Sequence, residues 1–209
     1  MKTMSPPHRV AAYLLGAGAS GTLVVLATQW VLSSGIVAMR PGDRLDWEEI
    51  MLYPGQMMLW ALAAQAVAAV TFYVTLYRMW AAIEQGIAPK RSRTAPGRAV
   101  GFLFIPGFNL YWMFVAIHDW AWQFNFLARL RGLQFRAAAG PGLAYCLATL
   151  LIVLSGLGGI TLPFLRALTV VGAAAQTIAA AVFLWQGCRA VNHIVAWKAG
   201  GSGLRADQR

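Results

Sequence analysis

Long apolar runs separated by short polar stretches dominate the chain. Five of these runs carry no charged residue, at 10–39, 50–77, 99–117, 137–165 and 167–188. A helix needs about 20 apolar residues to cross the hydrocarbon core of a bilayer. Four runs exceed that length, and we predict spanning helices at about 10–38, 53–80, 139–160 and 164–190. The first run is far longer than the core of a signal peptide, which favours a retained anchor.

The run at 99–117 is interrupted by Pro106 and Gly107, followed by Asn109. Proline removes a backbone donor and clashes with the preceding turn, and Pro-Gly is typical of turns. An asparagine in mid-membrane also needs a hydrogen-bond partner. Two interpretations follow: a kinked fifth spanning helix, or a re-entrant hairpin that returns to the side from which it entered.

The positions of the basic residues favour the re-entrant hairpin. Cytoplasmic loops of membrane proteins are enriched in Lys and Arg. With five spans the 17 Lys and Arg residues divide 8 to 9 between the two sides, whereas with four spans 14 of the 17 lie on one side. The predicted fold is therefore an all-α integral membrane protein with four transmembrane helices and a re-entrant or interfacial helical segment. Five transmembrane helices are the alternative.

The four-span interpretation divides the chain into three segments. We predict a cytoplasmic N-terminus at 1–9, a single membrane domain at 10–197 and a flexible basic tail at 198–209, which is glycine-rich. Both termini then face the cytoplasm. Within the membrane domain, a module at 99–131 combines the re-entrant segment with an amphipathic helix at about 110–131. Its tryptophans are typical of residues at headgroup depth.

Composition supports a membrane protein and excludes other classes. The chain is 59% hydrophobic and 11% charged, whereas soluble domains average roughly 45–50% and about 25%. This apolar content excludes a disordered chain and disfavours a soluble domain. Net charge is +10, but no basic fold stands clear of the bilayer, so nucleic-acid binding is not predicted. Cys146 and Cys188 lie in apolar stretches, and no metal site is predicted.

Two groups of side chains are candidates for contact with lipid or a partner. The first is a basic cluster beside a predicted helix, the pattern expected for anionic headgroups, although it could serve only as a topology determinant. The second is the pair of tryptophans in the amphipathic helix. Together they comprise Lys90, Arg91, Arg93, Arg98, Trp120 and Trp122.

Three further groups have alternative roles. Gly16 and Ser20, four residues apart, are predicted to let another helix approach closely. His118 and His193 are possible haem ligands, although interfacial histidines explain them as well. Polar residues in or near the helices are interpreted as structural or as part of a pathway, with Asp119 or Glu84 pairing with an arginine. These are Arg78, Asn109, Asp119, Arg189 and Asn192.

The stretch from Tyr77 to Trp112 is the most distinctive part of the sequence. It contains Tyr77-Arg78-Met79-Trp80, Thr94-x-Pro96-Gly97 and Ile105-Pro106-x-Phe108-Asn109-x-Tyr111-Trp112. This stretch resembles a segment of uncharacterised bacterial multi-pass membrane proteins, some of which carry a small GYF-like module before the membrane region. The resemblance implies location in the inner membrane of a bacterium and implies no particular activity.

No catalytic motif stands out: there is no GxSxG, no HExxH and no pair of carboxylates. We therefore predict a non-catalytic accessory or structural subunit, or a scaffold, of a membrane complex. Its expected partners are the bilayer, anionic lipids and a membrane protein or further copies of itself, without a cofactor. A small transporter or channel built around the Pro106–Asn109 turn is the first alternative. A haem- or pigment-binding redox subunit is the second.

Overall fold

The protein is all-helical in the computed structural model, which describes residues 3–33, 47–87, 94–158 and 163–206. Helical residues make up 88% of it, and the described ranges contain no strand. The long helices are α1 (Pro6–Ser33), α2 (Trp47–Ala82), α6 (Gly140–Gly158) and α7 (Pro163–Ala206). Three shorter helices lie between α2 and α6: α3 (Pro96–Gly101), α4 (Phe108–Met113) and α5 (Asp119–Leu130). Single π-helical turns follow α2 at Ile83–Ile87 and precede α5 at Phe114–His118, and a 3₁₀ turn spans Phe102–Phe104.

The chain divides into two compact units, the smaller of which comprises residues 11–71. It contains most of α1 and the first part of α2. Within it, a Cβ atom on Gly16 would lie 2.8 Å from the carbonyl oxygen of Ala64 and 2.9 Å from the backbone nitrogen of Ala68. Only glycine permits this approach, and α1 and α2 therefore contact each other directly at Gly16. Ser20 is half-buried.

The larger unit comprises residues 1–10 and 72–209, and its core is rich in aromatic residues. Tight helix contacts show how α7 runs relative to α2. A Cβ atom on Gly187 would collide with Met79, and one on Gly86 with Ile194. The second contact therefore lies seven residues after the first on both segments, from Met79 to Gly86 and from Gly187 to Ile194. The end of α2 and its π turn run parallel to α7.

The hairpin of α6 and α7 is antiparallel. Ser155 contacts Thr169, Thr149 contacts Gln176, and the backbone of Ala138 contacts Gln186. Close packing accompanies these hydrogen bonds, since a Cβ atom on Gly172 would lie 3.0 Å from the Ile152 side chain. α2 and α7 thus share one direction, and α6 takes the opposite one.

Two helical segments are long and apolar enough to cross a membrane, Gln56–Gly86 and Leu168–Ala199. Only 17% and 28% of their most apolar windows are buried within the chain, whereas a core helix of a soluble protein is buried around most of its surface. Gly140–Ser155 is a shorter apolar helix. The segment 10–38 extends beyond the described residues of α1, as does 139–160 beyond those of α6.

The last helix differs from the prediction. α7 continues to Ala206, although a helix ending near 190 and a flexible tail from 198 were expected. Extending an existing helix adds one hydrogen bond per residue and avoids the cost of nucleation, so the glycines at 200, 201 and 203 do not end it. Lys198 Nζ also donates a hydrogen bond to the backbone carbonyl of Gln85 at 2.6 Å.

Candidate functional site

Residues 96–118 form a short helical hairpin, which we call the aromatic hairpin. The chain reverses at Ile105–Gly107. Gly107 has a φ of +78°, a value that residues other than glycine rarely adopt. Trp112 Nε1 then donates to the carbonyl of Ala99 at 3.1 Å, which ties the two arms together. The two arms of the aromatic hairpin therefore lie against each other.

Aromatic rings fill the space between the arms of the aromatic hairpin. The ring of Phe102 lies 4.8 Å from that of Trp112 and 5.8 Å from that of Phe108, measured between centroids. The tip, in contrast, presents apolar side chains to the outside: Phe104 is 64% exposed and Tyr111 is 63% exposed. The tip therefore offers an apolar surface.

The aromatic hairpin rests on the end of α2 and on α5. The π turn at Phe114–His118 widens the helix and leaves carbonyls free for other donors, and Trp80 Nε1 donates to the carbonyl of Ala116 at 2.9 Å. Trp120 and Phe124 stack at 5.4 Å beneath this turn. Both are completely buried, so α5 is anchored through large aromatic side chains.

A cavity of about 370 Å³ opens beside this anchor. Most of its wall is aromatic and aliphatic, with polar atoms from one carboxylate, one amide and one hydroxyl. It is lined by Trp80, Thr94, Val115, Asp119, Trp122, Gln123, Phe126 and Leu127. Aromatic faces and a carboxylate both attract positive charge, so the cavity is chemically suited to an organic cation rather than to an anion.

Two asparagines each hold the backbone of one distant residue. Asn192 on α7 accepts from the Met4 N–H and donates to the Met4 carbonyl, both at 2.7 Å. Asn125 on α5 accepts from the Ala137 N–H at 2.8 Å and donates to the Ala137 carbonyl at 2.7 Å. Asn192 was predicted to be structural or part of a pathway, and its side-chain amide is used in fixing the N-terminal segment. Asn125 was missed, since nothing in the sequence connects it with Ala137.

The histidines occupy different surroundings. His193 stacks on Phe135 with ring centroids 4.7 Å apart, and the guanidinium carbon of Arg189 lies 5.8 Å from the same ring. His118 lies against the first turn of α6, where a Cβ atom on Gly142 would be 3.2 Å from its Cα. Its Nδ1 is buried without a hydrogen-bond partner. In the described part of the chain, no group of three or more His, Cys, Asp or Glu residues could hold a metal ion.

The predicted contact residues are placed as follows. Arg98 is exposed on α3, whereas Lys90, Arg91 and Arg93 lie outside the described residues. Trp122 is 70% exposed and Trp120 only 1%, so an outward-facing role fits Trp122 and does not fit Trp120. Trp120, Phe124 and Leu127 have the i, i+4, i+7 spacing of a buried helix face, which is the signal that separates the two tryptophans.

The remaining predicted polar residues are not brought together. Asn109 is half-buried, and its backbone N–H donates to the carbonyl of Ile105 at 2.9 Å. Asp119 lines the cavity, Arg189 lies over Phe135, and Arg78 is exposed on α2. Within the described ranges neither Asp119 nor Glu84 forms an ion pair with these arginines.

No protein-family model, curated protein or solved structure matches the chain. The resemblance of Tyr77–Trp112 to bacterial multi-pass membrane proteins therefore stays a prediction.

Proposed function

We propose that the protein is a non-catalytic integral membrane protein of the bacterial inner membrane, with four spanning helices and both termini in the cytoplasm. In this proposal it serves as an accessory or structural subunit, or a scaffold, of a larger membrane complex. One observation carries the proposal: long apolar helix surfaces face outward, while polar side chains face inward and pair with one another or with the backbone.

The outward surface is the first half of that observation. Most of each candidate spanning window is exposed, and exposed apolar side chains also cover α6 and the tip of the aromatic hairpin. Exposed apolar helix surfaces of this kind indicate contact with a membrane or with other proteins. The parallel direction of α2 and α7 supports the four-span path, because both helices then end on the side that holds most basic residues.

The inward polar groups are the second half. Gln176 Nε2 donates to Thr149 Oγ1 at 2.8 Å, and the Ser155 and Thr169 hydroxyls are 2.9 Å apart. Hydrogen bonds of this kind join helices in an apolar environment. Because these groups already have partners, they support a structural role better than a transport pathway or an active site.

Isolation in mild detergent tests the subunit role. We expect the full chain to co-purify with a membrane-protein partner in a stable heteromeric complex. Trp122→Ser should reduce the amount of partner retained, because the Trp122 side chain is exposed on α5. Trp60→Ser is the matched control, since Trp60 is also 70% exposed but lies on α2. A clean monomer without any partner would contradict the proposal.

A topology reporter tests the four-span path separately. Fused after Arg209, it should behave as cytoplasmic, because four crossings return the chain to its starting side. Periplasmic activity of the reporter would instead support five spans and would leave the subunit role to the co-purification experiment.

The aromatic hairpin supports insertion into the membrane rather than conduction. Re-entrant segments conduct where they line a water-filled cavity, and here Phe102, Phe108 and Trp112 occupy the space between the arms. We therefore expect Asn109→Ala to leave ion or solute flux unchanged in vesicles that contain the protein. A change in flux would favour the transporter alternative.

A further inference from the structure

Two arginines from different helices approach each other in the larger unit. Arg9 lies in the first turn of α1, and its Nη1 donates to Thr75 Oγ1 on α2 at 2.9 Å. Arg78 follows Thr75 by three residues, which places both on the same side of α2. The hydrogen bond thus holds the guanidinium group of Arg9 one helical turn from Arg78. We call these residues the arginine pair.

The charge of the arginine pair is not compensated within the described part of the chain. No carboxylate there forms an ion pair with either arginine, and the first turn of α1 contains no acidic residue. Desolvation by burial and the positive charge of Arg78 lower the pKa of Arg9, and a smaller electrostatic effect of Cys188 opposes them. The positive charges of Arg9 and Arg78 therefore act on each other between the two helices.

We propose that Arg9 and Arg78 form a binding site for one phosphate-type anion. A guanidinium group presents planar pairs of N–H donors that match two oxygens of a phosphate, and an anion between two such groups relieves their mutual repulsion. A phosphodiester or a phosphate monoester fits this chemistry, whereas a neutral ligand does not. This site is distinct from the cavity beside Trp122, whose carboxylate and aromatic walls favour a cation.

The source of the anion follows from the membrane location, and this part of the inference rests on the proposed function. With four spans, Arg9 at the start of the first helix and Arg78 near the end of the second lie at the cytoplasmic surface. Basic sites between helices at that level bind the headgroups of anionic lipids. Phosphatidylglycerol is a suitable probe, and inorganic phosphate tests the same chemistry without a membrane.

Lipid binding by the full chain in detergent provides the first measurement. Native mass spectrometry, titrated with phosphatidylglycerol, gives a dissociation constant for the tightest lipid. We expect Arg78→Gln to weaken this binding about fivefold, the effect of one cation near an anionic surface. Arg78→Lys should retain most of it. Arg129→Gln removes an equal charge from an exposed arginine on α5 and should leave the binding unchanged.

Calorimetric titration with inorganic phosphate provides the second measurement. Binding of phosphate that Arg78→Gln weakens, without selective binding of phosphatidylglycerol, supports the anion site and assigns it a soluble ligand. Equal losses in Arg78→Gln and Arg129→Gln, or no loss in either titration, would overturn the site. If the protein proves soluble without detergent, the proposed function fails, but the phosphate titration still tests the arginine pair.

Discussion

Different interactions stabilise the helix pair α6–α7 and the segment 96–130. This segment contains the aromatic hairpin and α5, and we call it the module here. Hydrogen bonds between polar side chains join α6 to α7, at Ser155–Thr169 and Thr149–Gln176, while the surrounding surface is apolar. Packed aromatic rings fill the interior of the module. The indole N–H groups of Trp80 and Trp112 each donate one hydrogen bond to a backbone carbonyl of the module. The helix pair thus has polar groups inside and apolar groups outside, as expected where lipid replaces water as the solvent. The module has the aromatic interior of a small soluble domain.

The two regions are therefore sensitive to different substitutions. Between apolar helices in lipid there is little hydrophobic driving force, so close backbone approach and hydrogen bonds supply the association. In the module, burial of large rings supplies it. Substitutions that remove volume should therefore damage the module most, whereas substitutions that add volume or remove a polar partner should act on α6–α7.

The largest effect is expected from Trp120→Ala. Trp120 is 1% exposed and packs against Phe124 and Phe183, so its removal leaves a cavity costing about 3–5 kcal/mol in the free energy of unfolding. Trp122→Ala, two residues away and exposed, should change it by less than about 0.5 kcal/mol. Unfolding by a denaturing detergent measures both. Equal effects would mean that ring burial does not stabilise the module.

A smaller loss is expected from Gly172→Leu. A Cβ atom there would already lie 3.0 Å from Ile152, so a larger side chain forces α6 and α7 apart and costs about 1–3 kcal/mol. Gly101→Leu is the matched control, because nothing lies within 4 Å of a Cβ atom at Gly101. If both variants unfold at the same denaturant concentration, close helix approach is not important for α6–α7.

Gly107→Ala addresses the turn of the aromatic hairpin. Since Gly107 has a φ of +78°, an added Cβ should cost about 1–2 kcal/mol through backbone strain alone. Gly97→Ala, in α3 where a Cβ meets no atom within 4 Å, should be neutral or slightly stabilising. Thermal unfolding of the two variants distinguishes these outcomes, and a loss in Gly97→Ala as large as that in Gly107→Ala would contradict the assignment of strain to the turn.

The smallest effect is expected at the polar contacts of α6–α7. A double-mutant cycle with Thr149→Val and Gln176→Leu should give a coupling free energy of about 0.6 kcal/mol, the mean for side-chain hydrogen bonds between membrane helices. Each single variant leaves one polar group unpaired, which the cycle corrects for. A coupling of zero would mean that packing alone joins the two helices.

Local patterns predicted several features of the fold. The apolar runs predicted helices at α1, α2, α6 and α7, because the length of an uncharged run is a property of neighbouring residues. The Pro106-Gly107 dipeptide predicted the reversal, since a proline followed by a residue that tolerates positive φ carries turn geometry in itself. Four crossings of a membrane, and the partners of the protein, stay predictions.

Other features depend on residues far apart in the chain. Asn125 and Ala137 are 12 residues apart, Asn192 and Met4 are 188 apart, and Arg9 and Thr75 are 66 apart. A polar residue in a helix signals that it needs a partner, but hydropathy does not indicate which partner. The expected pairing of Arg78 or Arg189 with Asp119 or Glu84 failed for this reason.

Residues within a few turns of one another set the all-helical character of the chain, the lengths of its apolar segments and the position of one reversal. A local pattern is therefore enough to predict these features. Contacts between distant helices place the end of α2 parallel to α7, bury Trp120 while Trp122 is exposed, and bring Arg9 to Thr75, one helical turn from Arg78. These outcomes depend on which helix faces pack together. That choice is made by the close fit of distant surfaces, such as Gly187 against Met79 and Gly86 against Ile194, and no local pattern contains it.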